Sequence, residues 1–114
     1  MELFLSLDIG TTAVKAGLFD QAFNQIDVVI EEYTLYTPQS DIVELNPETY
    51  WKNSVRAIEK VIRKSRKNIK DIVSITFTTQ GETLIPVDEN GKSIGNAIVW
   101  LDERAKAEAD IIRQ

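Results

Sequence analysis

The stretch Leu7-Asp8-Ile9-Gly10-Thr11-Thr12 constrains this chain most, because it sets one carboxylate and a Gly-Thr-Thr turn directly behind an apolar run. Leu3 to Leu7 reads as a strand buried on both faces and Ala13 to Phe19 as a second strand, so the polar residues fall in the tight turn of a hairpin. Such a turn aims several backbone N–H groups and two hydroxyls at one point, which is what a phosphate oxygen requires. Asp8 would repel a bare phosphate. It makes chemical sense there with a divalent cation or its bound water between the two. The same residues also make a plain hairpin, with Gly10 supplying an unusual φ and a threonine hydroxyl bonding the local backbone. Taken alone, the turn leaves both readings open.

A chain of 114 residues holds one compact domain and one core. Its 43% apolar and 27% charged content is that of a soluble globular protein. No apolar run approaches a membrane span and the N-terminus lacks the basic start of a secretion signal, so the expected location is the cytoplasm, with no membrane partner. The lack of cysteine excludes disulfides and thiolate metal sites. The lack of histidine excludes Ser-His and Cys-His nucleophile pairs, so acid–base chemistry would fall to carboxylates. Thirteen basic against eighteen acidic residues give a net charge of -5, which argues against nucleic acid as the main partner. Lys60, Arg63, Lys64, Arg66, Lys67 and Lys70 nevertheless crowd one segment. They make either a nucleic-acid patch or, more simply, a solvated helix end whose cations oppose the negative pole of the macrodipole.

Along the chain, Ile26, Val28 and Ile30 alternate with Asp27, Val29 and Glu31, which predicts a third strand over residues 25–36 and a three-stranded antiparallel meander. Thr37-Pro38-Gln39-Ser40-Asp41 breaks it. Asn46-Pro47-Glu48 starts a helix: Asn suits the N-cap, Pro the first helical position, and Glu the positive pole. Trp51, Val55, Ile58 and Ile62, widened by Tyr50, Ser54 and Val61, mark its expected buried stripe, with the aromatic residues as core anchors. Residues 72–78 return as a strand parallel to the first, which brings the turn Thr79-Gln80-Gly81-Glu82 to the sheet edge that carries Asp8 and predicts a cleft there. Residues 83–87 and 96–100 read as a hairpin around Asp88 to Lys92. Asp102 is expected to cap a second helix through Ala105, Ala109 and Ile112. The chain stops inside that helix with no closing residue, so it is expected to be part of something longer.

Four collinear stretches then speak together: Leu7 to Lys15, Val43-Glu44-Leu45-Asn46-Pro47-Glu48-Thr49-Tyr50-Trp51, Thr78-Thr79-Gln80-Gly81-Glu82-Thr83, and Asn96-Ala97-Ile98-Val99-Trp100-Leu101-Asp102-Glu103-Arg104. In that order, and over essentially the whole chain, they resemble the FGGY carbohydrate kinases, which include glycerol kinase, xylulokinase and gluconokinase. The resemblance implies an α/β, ribonuclease-H-like fold of the actin-type ATPases, with residues 1–114 as part of the N-terminal domain of a longer two-domain kinase. It implies ATP and Mg2+ as cofactors and a sugar or polyol as the phosphate acceptor.

Carried onto this sequence, the resemblance makes Asp8 a magnesium ligand through water. Gly10, Thr11, Thr12 and Lys15 would face the nucleotide phosphates. Gln80, Gly81 and Glu82 form the substrate turn, Glu82 accepting from substrate hydroxyls. Trp100 walls the carbon skeleton, Asp102 binds a further hydroxyl, and Arg104 either touches substrate or makes a structural ion pair. Glycerol kinases carry arginine where this chain has Gly81, which argues against glycerol, and Ala13 replaces a hydroxyl residue. The family's catalytic base falls beyond residue 114, so the chain alone is expected to be inactive, its partner being the remainder of the parent protein. Oligomeric state is left open, a homo-oligomer included. Two other readings stand beside this one: an acetate-kinase-like or hexokinase-like ATPase, and a non-catalytic interaction domain that kept the fold.

Overall fold

A computed structural model describes all residues, 1–114. The chain forms two compact units, residues 1–33 with 48–80 and residues 34–47 with 81–114.

The first unit is built on the predicted meander. β1 (Leu3–Ile9), β2 (Ala13–Phe19) and β3 (Gln25–Glu32) run antiparallel, and β5 (Ile72–Thr79) lies parallel to β1, giving the order β3-β2-β1-β5. Leu3, Leu5 and Leu7 of β1 and Val14, Ala16 and Leu18 of β2 point to one face and are buried. α1 (Pro47–Ser65) covers that face through Ala57 and Val61, so a single-sided sheet–helix core results. Pro47 begins this helix, Glu48 lies in its first turn, and Arg63 and Lys64 lie in its last. Each charge thus complements the adjoining pole of the helix.

Two expectations about faces are corrected. Trp51, expected in the core, is 69% exposed, and the buried residues of α1 are Asn53, Ser54, Ala57 and Val61. Ser54 and Ala57 are small enough to let the helix backbone approach the sheet, so the stripe is centred on them and Trp51 is turned outward. In β3, Ile26, Val28 and Ile30 do not share one inward face: Ile26 and Val29 pack on the core, while Ile30 is 53% exposed. The ladder explains this. Leu18 pairs with Asp27 but Phe19 with Gln25, which leaves Ile26 as an extra residue and turns the rest of the strand over relative to a regular alternation. Val29 then pairs with buried Ala16 and Glu31 with buried Val14. Asp27 and Glu31 thereby fall on the helix side. Lys64 meets Asp27 and Lys60 meets Glu31, each at 2.5 Å, with Arg56 3.8 Å from Glu31. Part of the basic cluster therefore answers two carboxylates on β3.

The second unit contains β4 (Glu44–Leu45) and β6 (Ala97–Ile98), paired antiparallel, and α2 (Lys106–Ile112). The predicted hairpin over residues 83–100 is reduced to single bridges, Leu84 with Ile98 and Val87 with Ser93. Asp102 does not cap α2, whose N-cap is Ala105 without a side-chain bond. Its carboxylate is engaged elsewhere.

Candidate functional site

In the first unit the polar turn lies between β1 and β2. Gly10 donates its N–H to the Ala13 carbonyl at 2.9 Å, which closes the turn. Its φ is not positive, contrary to the plain-hairpin expectation. What the position requires is room, because a Cβ there would sit 3.0 Å from the Ala13 carbonyl oxygen. Thr11 is half-buried and Thr12 exposed at the tip.

Asp8 and Lys15 are cross-strand partners, and their side chains form an ion pair at 3.8 Å with both groups substantially exposed. A pair of this length in water is weak and readily exchanged for another partner. Gln80, just beyond β5, returns to the same turn. Its N–H donates to the Ile9 carbonyl at 2.9 Å and its side-chain Nε2 donates to the Gly10 carbonyl at 3.2 Å. The first unit thus brings together Asp8, Gly10, Thr11, Thr12, Lys15 and Gln80.

The second unit assembles the other group. The Leu84–Ile98 bridge, together with the Trp100 N–H donated to the Thr83 hydroxyl at 3.3 Å, sets the Gly81-Glu82-Thr83 segment beside that of Trp100. Glu82 is exposed and Trp100 is 48% exposed. Glu82 has a φ of 63°, in the left-handed region that side-chain-bearing residues rarely adopt. A Cβ at Gly81 would meet nothing within 4 Å, so a larger side chain fits there.

Asp102 and Arg104 are held by each other. Arg104 donates from Nε to Asp102 Oδ1 at 2.8 Å and from Nη2 to Oδ2 at 2.7 Å, a bidentate pair. Nη2 also meets Glu44 Oε2 at 2.6 Å, and the N–H groups of Val43 and Arg104 donate to Asp102 Oδ2 and Oδ1 at 2.8 and 3.1 Å. Asn96 donates to Glu44 Oε1 at 3.0 Å. Each oxygen of Asp102 therefore accepts two bonds, and the guanidinium first, with these amides, holds its carboxyl well below the usual carboxylate range. Arg104 and Asn96 lower Glu44 in the same way.

Two contributors were missed in the sequence. Glu44 stands three residues before the helix start and had no visible partner, because Arg104 lies sixty positions on. Tyr33 follows Glu31 at a strand spacing of two, which, once the register is known, puts it on the helix side. Its hydroxyl donates to the Gly10 carbonyl and its N–H to the Thr12 carbonyl, the latter at 2.9 Å.

The sequence matches the model of the "FGGY family of carbohydrate kinases, N-terminal domain" over residues 3–114. It is 37% identical over 110 residues to glycerol kinase 2 of Sulfolobus acidocaldarius and 39% identical over 110 residues to glycerol kinase 1 of Saccharolobus solfataricus. Each alignment covers 96% of this chain and 22% of the relative, so the chain spans about a fifth of the proteins it matches. Among solved structures it is similar to a xyloylose kinase of Brucella ovis, with a TM-score of 0.92 and 28% identity over 97% of this chain and 23% of that one. It shares the fold of Plasmodium falciparum glycerol kinase with ADP, at a TM-score of 0.83 and 24% identity over 98% of this chain and 23% of the other. The fold is the α/β, actin-type ATPase fold that the resemblance implied. This chain belongs to the FGGY family of carbohydrate kinases.

Proposed function

We propose that residues 1–114 form the phosphate-binding and acceptor-binding N-terminal part of an ATP-dependent kinase that transfers the γ-phosphate to a hydroxyl of a sugar or polyol. The observation that supports this reading best is that the motif residues assemble into two chemically distinct groups. One combines a carboxylate, a lysine and a Thr-Thr turn, and the other sets the segment carrying Glu82 beside the segment carrying Trp100.

In the first group a lone, exposed carboxylate fits Mg2+, which keeps several of its waters and needs only one or two protein carboxylates. When bound, the ion neutralises charge on the phosphates as the γ-group departs. Asp8 would hold it through water. Lys15 would exchange its 3.8 Å contact with Asp8 for a phosphate oxygen, and the turn at Gly10, Thr11 and Thr12 would supply N–H and hydroxyl donors. In the second group Glu82 would accept from acceptor hydroxyls and Trp100 would cover the carbon skeleton. Gly81 leaves space for the acceptor but supplies no charge, while Gln80 bonds the Gly10 turn of the first group. Asp102 and Arg104 would frame this group, since their polar atoms are committed to each other, to Glu44 and to backbone.

None of these carboxylates suits the base that receives the hydroxyl proton. Asp102 is held too acidic to accept a proton near neutrality, and Asp8 is assigned to the metal. On this reading the 114 residues alone turn over no ATP. The test is a thermal-shift panel of pentoses, hexoses and polyols on the full-length gene product, repeated with Glu82→Ala. One ligand class should raise the midpoint in the parent and not in the variant. Equal stabilisation of both would remove Glu82 from the site.

A further inference from the structure

The Gly10 carbonyl is the point on which the first unit's polar contacts converge. It accepts from the Tyr33 phenol and from the Gln80 side-chain amide, and two donors fill the two lone pairs of a carbonyl oxygen. Tyr33 also donates its own N–H to the Thr12 carbonyl, and Gln80 donates its own N–H to the Ile9 carbonyl. Each residue therefore grips two peptides of the turn, one with its side chain and one with its backbone.

The geometry of the trans peptide gives this grip a consequence. In each peptide plane the C=O of one residue and the N–H of the next point in opposite directions. Holding the Gly10 C=O toward Tyr33 and Gln80 fixes the Thr11 N–H in the reverse direction, and holding the Thr12 C=O does the same for the Ala13 N–H. A turn that binds an anion through backbone donors depends on these directions, and a short flexible turn loses them.

We propose that Tyr33 and Gln80 are positioning residues that aim the backbone donors of the Gly10-Thr11-Thr12 turn, acting through the Gly10 carbonyl without touching the nucleotide. The proposal rests on the reading of residues 8–15 as the phosphate site of an ATP-dependent kinase. The surroundings of Tyr33 suit a permanent donor. Its ring stands edge-on to Tyr50 at 5.6 Å, and burial, with Tyr50 and the Asp8 carboxylate nearby, raises its phenol far above neutrality, so the proton stays on. Tyr50 supplies an internal control, because its hydroxyl is equally enclosed and lies near the Gln80 side chain but has no partner in hydrogen-bonding geometry.

The test uses the full-length gene product with Tyr33→Phe, Gln80→Leu and Tyr50→Phe. Losing one donor to the Gly10 carbonyl should raise KM for ATP about five- to thirtyfold while the acceptor KM stays within about twofold, and Tyr50→Phe should leave both unchanged. Amide hydrogen exchange is read in parallel and needs no activity. Tyr33→Phe should speed exchange in the turn, residues 10–13, by a similar factor relative to the β1 and β2 amides. A lowered melting temperature with both KM values and turn exchange as in the parent would overturn the proposal and leave Tyr33 a merely structural residue. Faster exchange in a protein that phosphorylates no sugar or polyol would support the grip and sink the kinase reading instead. Unchanged exchange would sink the grip whatever the activity.

Discussion

Glu82 is the residue at which stability and proposed function pull apart. A non-glycine residue in the left-handed region costs about 1 kcal/mol, and Glu82 sits there at a φ of 63° in the turn assigned to the acceptor. Alanine keeps that cost and glycine removes it. Glu82→Gly should therefore be more stable than Glu82→Ala by about 1 kcal/mol in chemical denaturation, with acceptor binding lost in both. Equal stabilities would mean that the turn relaxes and that the conformation carries no strain. The carboxylate at position 82 was legible in the sequence as a candidate. Its backbone conformation was not, because nothing in Gln80-Gly81-Glu82-Thr83 marks Glu82 rather than Gly81 as the residue that turns left-handed. Tyr33 was illegible for a different reason: its role follows from the register of β3, which a slip beside Phe19 reverses.

Among the elements, those built from local signals were the ones read correctly. The β1–β2 hairpin, the helix start at Pro47 and the parallel return of β5 each follow from residues close together or from a connection rule, and each is present. The face of α1 was misread because hydrophobicity alone favours Trp51, while the packing distance is set by Ser54 and Ala57. The strand at 96–100 was expected and β6 lies within it, but β4 and its pairing with β6 were invisible because Glu44 meets Ile98 across more than fifty residues. The Asp102–Arg104–Glu44 ion pairs help tie that small sheet to its flanking loop, and this has a pH signature. The folded-state carboxyls of Asp102 and Glu44 are depressed, so their contribution is complete above the unfolded carboxylate value of about 4. It is lost as pH falls through the folded values. Asp102→Asn should lower the melting temperature at pH 7, and the gap to the parent should narrow steadily below about pH 4. A gap independent of pH would show that the Asp102 carboxylate is not the group that matters.

At the scale of the whole molecule, the chain is an N-terminal FGGY segment that carries two assembled groups of polar residues and about a fifth of the length of its relatives. The relatives that share 37% and 39% identity are glycerol kinases, whereas glycine at position 81 is the ground on which the sequence argues against glycerol. Identity spread over 110 residues reports the scaffold, whereas under the proposed function the acceptor belongs to the turn that holds Gly81 and Glu82. The proposed function therefore stands or falls on a division of labour between the two groups, phosphate and metal at Asp8 and acceptor at Glu82. The most direct measurement is steady-state kinetics of the full-length gene product with Asp8→Asn and Glu82→Ala, varying ATP and acceptor in turn. Asp8→Asn should lower kcat by about a hundredfold or more with the acceptor KM little changed, while Glu82→Ala should raise the acceptor KM and leave the ATP KM as it was. Two variants that change the same constant for the same substrate, or that change neither, would contradict that division.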